Sequence, residues 1–159
     1  MRAISLPAAA LEGLAAARPT MFFGLASPSS DGLQVVEHRS IQKRLLDDAQ
    51  VRRDLLGWAA KSELALVECH RHIDGDPACM SWTDVVGLAE WVPHARWRIG
   101  GRPYAALVVA GATLDGLAWI RNDGRAESVD VVILGGQCFA TTGRSLSHFA
   151  TREDVDADG

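Results

Sequence analysis

The sequence predicts an α/β (α+β) fold: one domain built on a curved, mixed β-sheet flanked by helices. Six β-rich runs lie between Thr20 and Leu134, and two segments among them, Ser40 to Lys61 and Thr83 to Trp91, carry apolar residues near the helical period. A chain of 159 residues, 48% apolar and 23% charged, is long enough to bury a core without disulfides. The domain is expected over residues 1–150, with the acidic run 151–159 as a disordered tail.

The elements follow in order. Leu6 to Arg18 is rich in Ala and Leu, and Pro7 suits a first helical turn, so an amphipathic helix is expected there. The start resembles a signal peptide only superficially, because Glu12 interrupts its apolar run. Thr20 to Ala26 and Gly32 to Arg39 flank the turn-forming cluster Ser27-Pro28-Ser29-Ser30-Asp31 and predict a hairpin. From Ser40 to about Lys61 the spacing of Ile41, Leu45, Leu46, Leu55, Leu56 and Ala59 predicts a helix with a solvated, mixed-charge outer face. Leu64 to His72 is a strand, and Thr83 to Trp91 a helix ending at Pro93. Tyr104 to Ala112, Leu114 to Ile120 and Ser128 to Leu134 complete the sheet, with Asn122-Asp123-Gly124 as a turn between the last two. Beyond Gly135-Gly136 the chain turns polar.

The chemistry is concentrated at the polar end of the strand before His72. Alternation puts Glu68, His70 and His72 on one strand face and Cys69 on the other, where a buried, inert thiol is expected. After a loop holding Asp74 and Asp76, read as solvent-facing turn residues, come Ser81 and Asp84 at a helix start. Two imidazoles and a carboxylate are a ligand set that suits zinc and leaves a fourth position for water. A His-x-His pair by itself is more often two satisfied polar side chains. The Ser-x-x-Asp that follows is what raises it to a metal site. Ser81 or Thr83 is also placed to cap the helix. His94 is read as a solvated residue rather than a ligand.

His70-x-His72 followed by Ser81-x-x-Asp84 resembles the metal motif of the JAMM/MPN (JAB, Mov34) metallopeptidases, over roughly residues 20 to 135. The loop before Ser81 is one residue longer than the family's, and Ile73 replaces its usual proline. Gly101-Arg102-Pro103-Tyr104 and the apolar run after it resemble the strand that follows the motif in bacterial members. The resemblance implies Zn2+ on His70, His72 and Asp84, with Ser81 donating a hydrogen bond to an oxyanion. It implies a cytoplasmic peptidase or isopeptidase cleaving after the C-terminus of a ubiquitin-like protein, beside conjugation enzymes that include anti-phage defence systems. The family's early acid/base glutamate aligns with Met21. Three possibilities stay open: Glu68, whose Cα is about 6.6 Å from that of His70 on strand geometry, Glu37, or no acid/base, in which case the domain binds a ubiquitin-like partner or scaffolds an assembly without cleaving.

Composition narrows the partners further. A net charge of -4 provides no basic patch for nucleic acid, and no apolar run reaches the ~20 residues of a membrane span. Three cysteines without a CxxC argue against a disulfide framework and fit a reducing compartment.

Overall fold

Strands β2 (Thr20–Pro28) and β3 (Gly32–Gln42) form the expected antiparallel hairpin. The computed structural model describes residues 2–14, 20–73 and 77–150. Asp74, Asp76, the end of the predicted first helix and the acidic tail lie outside these residues. The hairpin is longer than its β-rich core because the partnership continues to Thr20↔Gln42, so Ile41 and Gln42 belong to a strand rather than to the following helix. A bulge between Leu25 and Ala26 leaves Val36 as the extra residue of β3, a feature that bends a strand and tightens its twist.

Two elements precede the hairpin. Ala3–Leu6 is a strand, β1, and the first helix, α1 (Ala9–Leu14), starts after Pro7 rather than at Leu6. β1 is short and has no alternation of its own to announce it. It is held by parallel pairing to β3 on one side and to a later strand on the other. Gly32 makes that approach possible: a Cβ there would lie 2.0 Å from the Ala3 carbonyl oxygen.

A short 3-10 helix at Lys43–Asp47 follows β3, and α2 runs only over Ala49–Ser62. Asp48 divides the two. Its side chain accepts from the backbone N–H groups of Gln50 and Val51, an N-cap that starts a new helix where one long helix had been expected. Leu55, Leu56 and Ala59 form the buried face of α2.

β4 (Ala65–His72) pairs with β2 and, in parallel, with β5 (Tyr104–Ala110). Between them α3 runs from Trp82 to Arg98, passing through Pro93 instead of ending there. Pro93 lies on the exposed face, while Val92, Ala95 and Ile99 are buried to 2%, 0% and 0% exposure. Their packing outweighs the ~3 kcal/mol penalty of an interior proline. Arg96 secures the far end by donating to the carbonyls of Gly101, Arg102 and Arg121.

β6 (Thr113–Trp119) pairs with β5, and the predicted strand from Ser128 to Leu134 divides into β7 (Glu127–Ser128) and β8 (Val131–Leu134). β7 pairs with β6, whereas β8 pairs with β1. Only Val129 and Asp130 separate them, so the two ends of the nine-strand order β7-β6-β5-β4-β2-β3-β1-β8-β9 are brought close together. The sheet is therefore curled. β9 (Gln137–Ala140), in the stretch that had looked merely polar, closes the last hairpin with β8, and residues 145–150 are helical.

One face of the sheet, with Phe23, Leu25, Leu66 and Tyr104, packs under α2 and α3. The other face, with Phe22, Val67, Cys69 and Leu107, closes around α1 and β8. The architecture is a single α+β domain with a curled mixed sheet and flanking helices.

Candidate metal centre

The β4 pleat sends Glu68 and His70 toward the α3 side and Cys69 to the opposite core, as the alternation requires. Burial, and then the Glu68 carboxylate, push the Cys69 thiol up to about 12, which fits its inert role. Asp84 reaches the histidines from the first turn of α3. Its position is set by a capping box: Ser81 Oγ accepts from Asp84 N at 3.1 Å, and Asp84 Oδ2 accepts from Ser81 N at 2.8 Å.

The three side chains converge. Nε2 of His70 and of His72 are 3.0 Å apart, and Asp84 Oδ2 lies 3.3 Å from the first and 2.9 Å from the second. Zinc held tetrahedrally at about 2.0–2.1 Å separates its ligands by about 3.3 Å, so the group fits such an ion. Direct hydrogen bonding accounts for it less well, since only one proton fits between two facing imidazole nitrogens. The His70-His72-Asp84 group can thus hold a metal ion. Burial opposes ionisation of Asp84, but the His70 hydrogen bond and charge, with the two bonds from Ser81, outweigh it and hold the carboxyl well below its usual range. A carboxylate that stays charged is what a cation requires. His70 is buried and His72 partly exposed, leaving one side of the group open to solvent. His70 Nδ1 is buried without a hydrogen-bond partner among the described residues, so among them the ring is held by packing and from its ligand side.

Glu68 lies beside this group in a cavity of about 370 Å³ whose lining includes His70, Asp84, Met21, Leu88 and Trp91. The Tyr104 hydroxyl donates to Glu68 Oε2, and Trp91 Nε1 donates to the Tyr104 oxygen at 2.7 Å. Glu68 Oε1 has no hydrogen bond among the described residues. Burial raises the Glu68 carboxyl above its ordinary value, against the opposing Tyr104 hydrogen bond and His70 charge. The same burial, with Glu68 next to it, raises the Tyr104 phenol well above its own.

The remaining sequence candidates fall in different places. Ser81 is exposed at the N-cap, using its oxygen as an acceptor and leaving its hydroxyl proton uncommitted among the described residues. Met21 lines the cavity, on the strand beside β4. Glu37 does not line it. It is exposed and accepts from Trp58 Nε1 at 3.2 Å. His94 stands on the exposed face of α3, away from the ligands, and not in a loop.

Sequence reasoning missed Tyr104 as the partner of Glu68, and Trp91 as the partner of Tyr104. It also missed Asp115, fully buried in β6, which accepts from Gly143 N at 3.0 Å, Ser145 N at 2.7 Å and Ser145 Oγ at 2.6 Å. Ser145 Oγ in turn accepts from Met80 N at 2.9 Å, fixing the loop that enters Ser81. A charged residue inside the apolar run Leu114 to Trp119 was the available signal.

No protein-family model matches the chain, and no curated protein matches it. The family resemblance therefore rests on His70-x-His72 and Ser81-x-x-Asp84 themselves.

Proposed function

We propose that this protein is a zinc-dependent peptidase or isopeptidase of JAMM/MPN type, cleaving after the C-terminus of a ubiquitin-like protein in the cytoplasm. One observation carries the hydrolase reading: three ligand atoms meet at tetrahedral spacing beside a buried glutamate. Zinc in such a site supplies Lewis acidity, polarising the scissile carbonyl and acidifying water.

The protein's own groups supply the rest. Glu68 Oε1, with Oε2 held by Tyr104, takes the proton of the attacking water and returns it to the leaving amine as the C–N bond breaks. A carboxyl raised by burial holds that proton more readily than an exposed one. Ser81 donates its free proton to the oxyanion, an interaction whose loss typically lowers the rate about 10² to 10³. Ile73, 92% exposed next to His72, and Trp82, 54% exposed beside Asp84, offer apolar contacts to the folded body of the ubiquitin-like partner. Conjugation enzymes, including those of bacterial anti-phage systems, are the proposed functional neighbours by family analogy alone.

A non-hydrolytic module that binds a ubiquitin-like protein is the second reading. It is favoured by Met21, which lines the cavity where the family's glutamate is expected.

Elemental analysis of the purified protein beside a His70→Ala/His72→Ala variant tests the metal. About one zinc per chain, lost in the variant, is expected, and zinc-free wild type after growth with zinc would remove the hydrolase reading. Cleavage of ubiquitin-like precursors then separates the readings: turnover abolished by Glu68→Gln supports the enzyme, and metal-loaded protein that binds without turnover supports the module.

A further inference from the structure

We infer that the cavity beside the metal ligands receives a carboxylate of the substrate, and that Lys43 and Arg52 recognise it. This rests on the proposed hydrolase reading and specifies its substrate next to the scissile bond.

The cavity has two unlike walls. On one stand the metal ligands His70 and Asp84 with Glu68; on the other are the 3-10 helix at Lys43–Asp47 and the first turn of α2. Met21, Phe23, Leu46 and Leu88 make the space between them largely apolar. Glu68 and His70 are each 5% exposed and line it.

The basic side chains of the second wall divide in the same way. Arg44 donates to Gln42 Oε1 at 3.0 Å, and Arg53 to Gln50 Oε1 at 3.1 Å; neither lines the cavity. Lys43 and Arg52 do line it, and neither side chain has a hydrogen bond or ion pair among the described residues; Arg52 is bonded only through its backbone N–H, which donates to the Asp48 carbonyl at 3.1 Å. Among the described residues of that wall that line the cavity, Asp47 is the one anion, so their formal charges sum to a net positive one. Two cations without side-chain partners among the described residues, lining the same largely apolar cavity as the metal-ligand group, match a short substrate portion with an apolar body and an anionic end. A volume of about 370 Å³ is at the lower end for ligand pockets and holds a residue or two. The carboxylate therefore belongs to a residue at the cleavage point, either as a free α-carboxylate or as an acidic side chain. Because Lys43 and Arg52 are exposed, the preference they create is moderate and weakens with salt.

The test is calorimetric binding of three thiol probes to the zinc-loaded full chain: mercaptoacetyl-leucine, mercaptoacetyl-leucinamide, and mercaptoacetyl-glutamate amidated at its α-carboxyl. At least one carboxylate probe is expected to bind about fivefold to tenfold more tightly than the leucinamide. Which one does so identifies an α-carboxylate or a side chain as the source. In a Lys43→Gln/Arg52→Gln variant that preference disappears while leucinamide affinity stays unchanged. Equal binding of all three probes to wild type, or a preference that survives in the variant, overturns the inference and leaves the metal centre standing. Failure of every thiol to bind overturns the open metal position itself, and the inference with it.

Discussion

Tyr104 stands opposite Leu66 in the parallel β4–β5 pair, and its hydroxyl reaches diagonally to Glu68, two residues further along. Ala106, opposite Glu68, is small enough to leave that path open. The contact occupies Oε2 and leaves Oε1 without a hydrogen bond among the described residues, the atom that the proposed proton transfer would use. Tyr104→Phe should lower kcat for a cleaved precursor about tenfold or more, with zinc content and KM little changed; unchanged kcat would dismiss Tyr104 as a positioning residue. Glu68 also has a signature without substrate. Its raised carboxyl means that, from the ordinary value of 4.5 up to the folded one, the native state holds more protons than the unfolded chain, so stability falls as pH rises. Glu68→Gln keeps an acceptor for Tyr104 and removes the charge. In chelated protein, denaturant unfolding followed upward from the ordinary carboxyl value of 4.5 should show a steeper fall in wild type than in the variant. Asp84 has the opposite sign and a separate window: its contribution is lost as pH drops below 3.8. The three residues that can hold a metal were legible because strand alternation and helix capping are local rules. The Tyr104–Glu68 contact depends on the register between two strands 36 positions apart, which local pattern does not specify.

At the scale of elements, the start of α3 performs two tasks with the same atoms. Ser81 caps the helix, and the reciprocal bond from its backbone holds the Asp84 oxygen that faces the histidines. Ser81→Ala should therefore cost about 1 kcal/mol of stability and weaken zinc retention as well as turnover. Ser81→Asn restores a cap but not a hydroxyl. If capping were its whole role, the Asn variant would recover both zinc retention and cleavage; the expected outcome is recovered zinc with cleavage still depressed, read from metal titration beside the rate assay. The cap was visible in the sequence as Ser-x-x-Asp before an apolar run. The extent of α3 was not, because proline's local penalty was overruled by tertiary burial of Val92, Ala95 and Ile99. The single helix expected from Ser40 likewise yielded to the cap at Asp48 and to β2 pairing as far as Gln42.

Across the whole molecule, the curl of the sheet places Asp115 of β6 next to the segment after β9. Thr142 N donates to the Leu114 carbonyl at 3.0 Å, and Gly143 and Ser145 follow onto the Asp115 carboxylate. Ser145 passes the constraint to Met80, and Thr142 Oγ1 to the Ala78 carbonyl at 2.6 Å. Asp115→Asn would set an amide N–H2 against these donors. A loss of about 1–3 kcal/mol in unfolding free energy is expected, together with weaker zinc binding although no metal ligand is altered. Calorimetric unfolding and zinc titration of the variant check both, and intact zinc affinity would show that the loop before Ser81 holds its shape unaided. This closure was out of reach of sequence pattern, since β1 and β9 are strands only by virtue of their neighbours and the predicted run Ser128 to Leu134 carries no sign of its division into β7 and β8.

The Asp115–Ser145–Met80 connection also bears on when the proposed metal site is completed. While the chain is being synthesised, both histidines leave the ribosome well before Ser145, so the Ser145 anchor on the Met80 backbone is added to the earlier Ala78–Thr113 one only after the imidazoles have emerged. A nascent chain would have its imidazoles available for any passing ion without the geometry that selects among them. In the proposed metal site, full discrimination among ions would come only once the Ser145 segment has emerged.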